Sequence, residues 1–125
     1  MTGVRVRFVD TYVLHTSAAG LNLLVLRRAS GGRCPGSWET VHGTIEPGET
    51  PVDASVRELR EETGFAPDRL YNVSRVEAFF EHRTNEVALI PVFAAFVAER
   101  RALEDIVLLF GKGGGGLLED VLRVC

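Results

Sequence analysis

The sequence predicts an α+β domain, a mixed sheet with helices packed on it. Short apolar runs separated by turn residues recur along most of the chain. One strongly marked helix, over 51–63, interrupts them. The composition is that of a globular protein, with 46% hydrophobic and 25% charged residues in 125. That length fits a single domain with one real hydrophobic core.

The elements follow in order. Val4, Val6 and Phe8 alternate with Arg5 and Arg7, a strand with one buried face that continues through Tyr12, Val13 and Leu14. Thr16 to Gly20 is a turn, and Leu21 to Leu26 a second strand, apolar enough for burial on both faces. Ser30 to Ser37 is a loop by its Gly, Ser and Pro content, and Trp38 to His42 a short strand. Pro47-Gly48 marks a turn. The helix has Thr50 at its N-cap, Pro51 at its first position, Asp53 at its third and Gly64 as its stop. Tyr71 to Phe80 and Val87 to Val97 are two further strands joined by a polar turn near His82 to Asn85. Pro91 makes the second of them an edge strand or a bulged one. Ala102 to Phe110 fits helix or strand equally, Gly113 to Gly116 fits neither, and Leu117 to Val124 fits a short amphipathic helix.

Charge and composition exclude several functions. The net charge is -3 and no basic stripe exists to hold a nucleic-acid backbone, so no polynucleotide partner is expected. No apolar run reaches the ~20 residues that span a bilayer, and the start reads as neither signal peptide nor anchor. Cys34 and Cys125 form no C-x-x-C pair, which suits a reducing, cytoplasmic setting.

The helix concentrates carboxylates. At about 100° per residue, Val52, Val56, Leu59 and Thr63 fall on a core-facing side. Glu58, Glu61 and Glu62 then fall on the opposite, exposed side, with Ala54 and Ser55 between them. Like charges three and four residues apart cost roughly 0.2–0.5 kcal/mol per pair, and the helix C-terminus disfavours anions further. Arg57 and Arg60 offset part of this. A hard divalent cation, which takes oxygen ligands, would offset far more. A bare E-x-x-E-E is otherwise an ordinary solvated face.

The surroundings of that face are more specific. Gly43, Glu49 and the run Arg57-Glu58-Leu59-Arg60-Glu61-Glu62-Thr63-Gly64-Phe65 spell G-x5-E-x7-R-E-U-x-E-E-x-G-U, where U is a bulky apolar residue. This resembles the signature box of the Nudix hydrolase family at every specified position. The resemblance covers about 4–97 and implies a Nudix-like α/β/α sandwich in which the box helix packs on a mixed sheet. It implies divalent metal, Mg²⁺ or Mn²⁺, on Glu58, Glu61 and Glu62, with the carbonyl of Gly43 as a further ligand. Catalysis would fall to Glu58, Glu61, Glu62 and Arg57, with Arg57 and Glu49 bracing the box through a salt bridge. Some members of the family use a glutamate outside the box as base. Glu81 and Glu86 are the candidates here, Glu86 also as a metal ligand, and each has an ordinary surface reading beside the functional one.

The resemblance implies hydrolysis of a pyrophosphate bond in a nucleoside di- or triphosphate derivative. The segments W-E-T-V-H-G-T-I-E-P-G-E and V-E-A-F-F-E-H-R are similar to the branch that includes dATP and dihydroneopterin triphosphate pyrophosphohydrolases. That branch implies a triphosphate cut to monophosphate and pyrophosphate. The alternatives are a dinucleoside polyphosphate hydrolase and a catalytically silent nucleotide-binding module. His82 and Arg83, in a turn between strands, are candidate substrate contacts. His42 is a candidate phosphate contact, Arg27 or Arg28 another, and Trp38 either stacks on a base or anchors the core. The tail departs from the family from about 99 onward, with no Trp and the glycine run, within what is otherwise one domain over 1–125. A homodimer covering exposed tail residues such as Leu117, Leu118, Val121 and Leu122 is one expectation, and ordinary packing within the chain another.

Overall fold

The computed structural model describes residues 1–17, 20–27, 38–98 and 108–112. The elements are β1 (Gly3–Arg5), β2 (Phe8–Ser17), β3 (Gly20–Arg27), β4 (Trp38–Glu39), β5 (Val41–Thr44), α1 (Pro51–Thr63), β6 (Arg69–Glu81), β7 (Glu86–Phe96) and β8 (Leu108–Lys112). The strands form one mixed sheet. β7 runs parallel to β1 over its first residues and to β2 over its last, and antiparallel to β6 on its other side. β2 and β3 form a hairpin through Val13↔Leu24 to Ser17↔Gly20. Beyond that point they diverge, because Phe8 to Thr11 pair with β5 while Leu26 and Arg27 pair with β4. The β4–β5 segment is thus a wedge between two splaying strands. The Thr40 hydroxyl ties its middle to the Thr11 carbonyl.

α1 forms where its local signals place it. The Thr50 side chain accepts the Asp53 amide at 3.2 Å, and Gly64 adopts φ 77° while its N–H donates to the Arg60 carbonyl at 2.8 Å. Only glycine takes that left-handed conformation without strain.

The seating of α1 differs from the expectation. Ala54, Ser55, Leu59 and Thr63 are the buried residues, and Val52 is 49% exposed. Glu58 and Glu62 are half-buried between them in sequence and in angle. Glu58 and Glu62 therefore lie within the arc that faces the sheet, while Glu61 stays exposed as expected. One cause is a polar contact that an apolar pattern overlooks. The Ser55 and Thr11 hydroxyls, both fully buried, share a hydrogen bond of 2.6 Å across the helix–sheet junction. Each satisfies a group that would otherwise be costly to bury. The Thr63 hydroxyl likewise donates to the Leu59 carbonyl at 2.5 Å.

Under α1, one cluster joins Val13, Leu24, Val41, Leu59, Phe65, Ala95 and Val97, and another joins Val9, Ala54 and Phe93. Leu23 and Val25, packed with Tyr12 and Leu14, alternate onto the other face of the sheet. β7 has neighbours on both sides, so Pro91 does not mark an edge. The irregularity lies in its partner β6, whose register jumps between Asn72 and Val76. There Ser74 takes φ 57° and donates its N–H to Asn72 Oδ1 at 2.8 Å. The first expected strand is two, β1 and β2, interrupted at Val6 and Arg7. The open reading of 102–110 resolves as strand from Leu108. Arg28, Cys34, the Ser30–Ser37 loop, Gly113 to Gly116, Leu117 to Val124 and Cys125 lie outside the described residues. Among the described residues α1 is the sole helix, and no helix is long and apolar enough to cross a membrane.

Candidate active site

The β5–α1 corner is organised around Arg57. Its Nε donates to Glu49 Oε2 at 2.8 Å and its Nη2 to Glu49 Oε1 at 2.9 Å, a two-pronged pair. Nη2 also donates to the Thr44 carbonyl at 2.7 Å, fixing the helix to the end of β5. Nη1 donates to Glu58 Oε1 at 2.9 Å and Glu61 Oε2 at 3.1 Å. One guanidinium therefore holds the loop glutamate, the last residue of β5 and two helix glutamates. Glu49 is held in turn from the loop side, accepting the Glu46 amide at 3.0 Å. These donors drop the Glu49 carboxyl to about 2, the Arg57 side chain first and the Glu46 amide second. Glu49, above all, raises the Arg57 pKa further still.

Gly43 explains its own identity. A Cβ there would stand 2.1 Å from Glu58 Cδ and Cγ. The Glu58 side chain, 14% exposed, lies directly against the Gly43 main chain. No residue but glycine leaves that space while Arg57 holds the carboxylate in place. The packing brings a carboxylate and a backbone segment together at the mouth of the β4–β5 wedge.

Glu61 is 57% exposed and Glu62 half-buried. Among the described residues, no three His, Cys, Asp or Glu side chains form a finished ligand set. The chemistry of the donors nevertheless suits a hard divalent cation. Arg57 takes one oxygen of Glu58 and one of Glu61, so each keeps a second carboxylate oxygen outside that clamp. Glu61 is exposed enough to turn, and Glu58 already lies directly over Gly43.

Two residues beside the box carry signals that sequence pattern did not single out. β5 pairing sets His42 opposite Asp10, and His42 Nδ1 lies 2.5 Å from Asp10 Oδ1. The ring also stacks on Phe8 at 5.3 Å between centroids. The hydrogen bond to Asp10 raises the His42 pKa against burial, with Glu39 and Glu62 adding to it. Phe8 in turn meets Phe79 at 6.4 Å. Asp10 and Phe8 could have been found only by knowing that β2 pairs with β5.

The candidates on β6, β7 and their turn make no hydrogen bond or ion pair with the box side chains among the described residues, although the Arg7 carbonyl accepts the Ile45 N–H at 2.8 Å. His82 and Arg83 are exposed in the β6–β7 turn, and no hydrogen bond or ion pair among the described residues ties them to it. Glu86 pairs with Arg5 at 3.0 Å and Arg7 at 3.1 Å, and Glu81 with Arg7 at 2.8 Å. Both glutamates thus have arginine partners of their own. Trp38 lies in β4 and Arg27 at the end of β3.

A fold of this kind with this corner defines a class, and comparison with known proteins agrees. The NUDIX domain model matches residues 6–107. The chain belongs to the Nudix hydrolase family, whose hydrolases generally use divalent metal ions. It is 34% identical over 92 residues to an isopentenyl-diphosphate Δ-isomerase of Corynebacterium diphtheriae, a match covering 67% of this chain and 50% of that protein. It is 38% identical over 61 residues to the 8-oxo-dGTP diphosphatase of Escherichia coli, covering 49% of this chain and 47% of that one. The chain thus spans about half the length of these curated relatives. A Nudix hydrolase from M. smegmatis, RenU, shares the fold with a TM-score of 0.65 at 19% identity, over 88% of this chain and 72% of that one.

Proposed function

We propose that this chain is a divalent-metal-dependent pyrophosphohydrolase that cuts a nucleoside triphosphate, or a close derivative, to a monophosphate and pyrophosphate. The observation that carries the reading is the Arg57 clamp, which holds Glu58 against Gly43 and gathers Glu49 and Glu61 around it. Such a lattice of carboxylates around one arginine is an expensive way to stabilise an exposed helix, and a natural way to present oxygen ligands in a fixed place. Glu58, Glu61, Glu62 and the Gly43 carbonyl would hold Mg²⁺ or Mn²⁺. The cation would supply positive charge against the phosphate oxygens and acidify the attacking water. Arg57 keeps Glu58 and Glu61 from splaying apart, and a box glutamate takes the proton from water. His82 and Arg83 remain proposed contacts to the substrate and Glu86 a proposed outer ligand. The cysteine pattern supports a cytoplasmic home.

The test is hydrolysis by the purified chain over a panel of nucleoside triphosphates, oxidised nucleotides, dinucleoside polyphosphates, a 5′-triphosphorylated RNA and isopentenyl diphosphate, with Mg²⁺ or Mn²⁺. Metal-dependent release of monophosphate and pyrophosphate from a nucleotide is the expected result. Isomerisation of isopentenyl diphosphate would redirect the reading to the chemistry named for the corynebacterial relative. Silence across the panel, in folded protein that binds metal, would make the chain a nucleotide-binding module.

A further inference from the structure

β6 leaves one edge without a strand partner among the described residues, and its apolar side chains stand in solvent. Val76 is 55% exposed, Phe80 57% and Phe79 43%. Long apolar edges invite a further strand, and proteins usually blunt them with charge, proline or a bulge. Here the bulge at Ser74 interrupts only the first part. From Val76 to Glu81 the ladder with β7 is regular, and the β6–β7 turn ends it. We propose that this segment is the interface of a homodimer, in which two copies of β6 pair antiparallel about a twofold axis through Ala78 and join two sheets into one.

The register follows from charge and symmetry. A twofold axis perpendicular to the sheet keeps each face on its own side, so opposed residues must come from the same face. Val76, Ala78 and Phe80 alternate onto one face, and Arg75, Glu77, Phe79 and Glu81 onto the other. With the axis at Ala78, Val76 faces Phe80 of the second copy and Glu77 faces Phe79. Arg75 then meets Glu81 at both ends of the ladder. Moving the axis to Glu77 sets that carboxylate against its own copy. Moving it to Phe79 opposes Glu77 with Glu81 twice, and like charges directly opposed destabilise a sheet. Moving it to Val76 runs Ala78 into the bulge at Ser74, whose left-handed φ of 57° breaks the ladder. Among these neighbouring registers, Ala78 alone gives opposite charges and apolar pairs while keeping Ser74 out of the ladder. Arg75 is free to serve both partners, being 64% exposed beside Glu77 at 2.7 Å.

A single strand edge buries less than the ~800 Å² per partner of a standard stable interface, so the dimer should depend on concentration. Sedimentation of the full chain at a series of concentrations tests this. A reversible monomer–dimer equilibrium is expected. The double variant Val76→Lys/Phe80→Lys should weaken it at least about tenfold, and Arg75→Glu should weaken it as well. With Cys34 and Cys125 replaced by serine, Ala78→Cys should cross-link on oxidation, because its thiol meets its own copy at the axis. Val73→Cys, beyond the bulge, should not. Circular dichroism checks that each variant is folded, and if the lysine pair fails to fold, the Ala78→Cys readout decides alone. A monomer at every concentration up to about 1 mM would overturn the proposal. So would a dimer indifferent to the lysine pair, or cross-linking at Val73 in place of Ala78.

Discussion

The β5–α1 corner and the β6 edge belong to one sheet and are built on opposite terms. At the corner nearly every polar atom of Arg57 is spoken for, and Gly43 leaves no room even for a methyl group. Along β6 the side chains after the bulge pack on β7, with Phe79 also against Phe8 and Glu81 against Arg7, and large apolar groups face water. The corner therefore has one arrangement that keeps every contact of Arg57 and Glu58 at once. The edge tolerates change in the lone chain. A network that presents charges to a ligand must be over-determined, since carboxylates so close would otherwise repel one another apart.

Breaking the corner should produce the largest effects. Gly43→Ala should lower turnover by on the order of 10²-fold, the scale at which a small displacement of a reacting group costs rate. The melting temperature should fall far less than activity, because Glu58 can swing outward. Steady-state kinetics beside thermal denaturation checks both, and an active Gly43→Ala enzyme would mean that Glu58 is not needed where it sits. Arg57→Lys should also lose most activity, since a lysine cannot hold Glu49, Thr44, Glu58 and Glu61 with one ammonium group.

Leu59→Ala removes a fully buried side chain under α1 and should destabilise the fold by about 2–5 kcal/mol. Val52→Ala, exposed in the structure although the periodicity placed it inside, should change stability by no more than about 0.5 kcal/mol. Chemical denaturation of the pair sharpens the comparison, because equal losses would restore the helix face that the periodicity suggested.

The smallest expected effect is electrostatic and carries a sign. The folded state lowers the Glu49 carboxyl from its ordinary 4.5 to about 2. The stability it contributes is present above 4.5 and lost as pH falls toward 2. Wild-type melting temperature should therefore decline through that window. Glu49→Gln should start lower at neutral pH and decline less steeply, and parallel curves would show that the clamp does not contribute to folding.

Much of this was legible in the chain. The helix bounds, its Thr50 cap and its Gly64 exit follow from local rules that involve only neighbours in sequence. Most of the strands followed from runs of apolar residues. The Arg57–Glu49 brace came from the resemblance of the box and appears in the structure at 2.8 and 2.9 Å. The helix face was read in part, since Leu59 and Thr63 are buried as expected, but Ser55 looks like a surface residue until Thr11, 44 positions away, supplies its hydrogen bond. The His42–Asp10 pair and the strand interrupted at Val6 and Arg7 escaped for a related reason, since both depend on which strands lie side by side.

The sequence by itself determined the family, the helix with its caps and the spacing of the box, because each rests on short-range geometry or on residue types at fixed intervals. The tertiary structure alone decided how the helix is rotated on the sheet, why position 43 must be glycine and which stretch of β6 lacks a second strand partner among the described residues. Those are properties of contacts between distant segments, whose partners are chosen only when the sheet has closed around them.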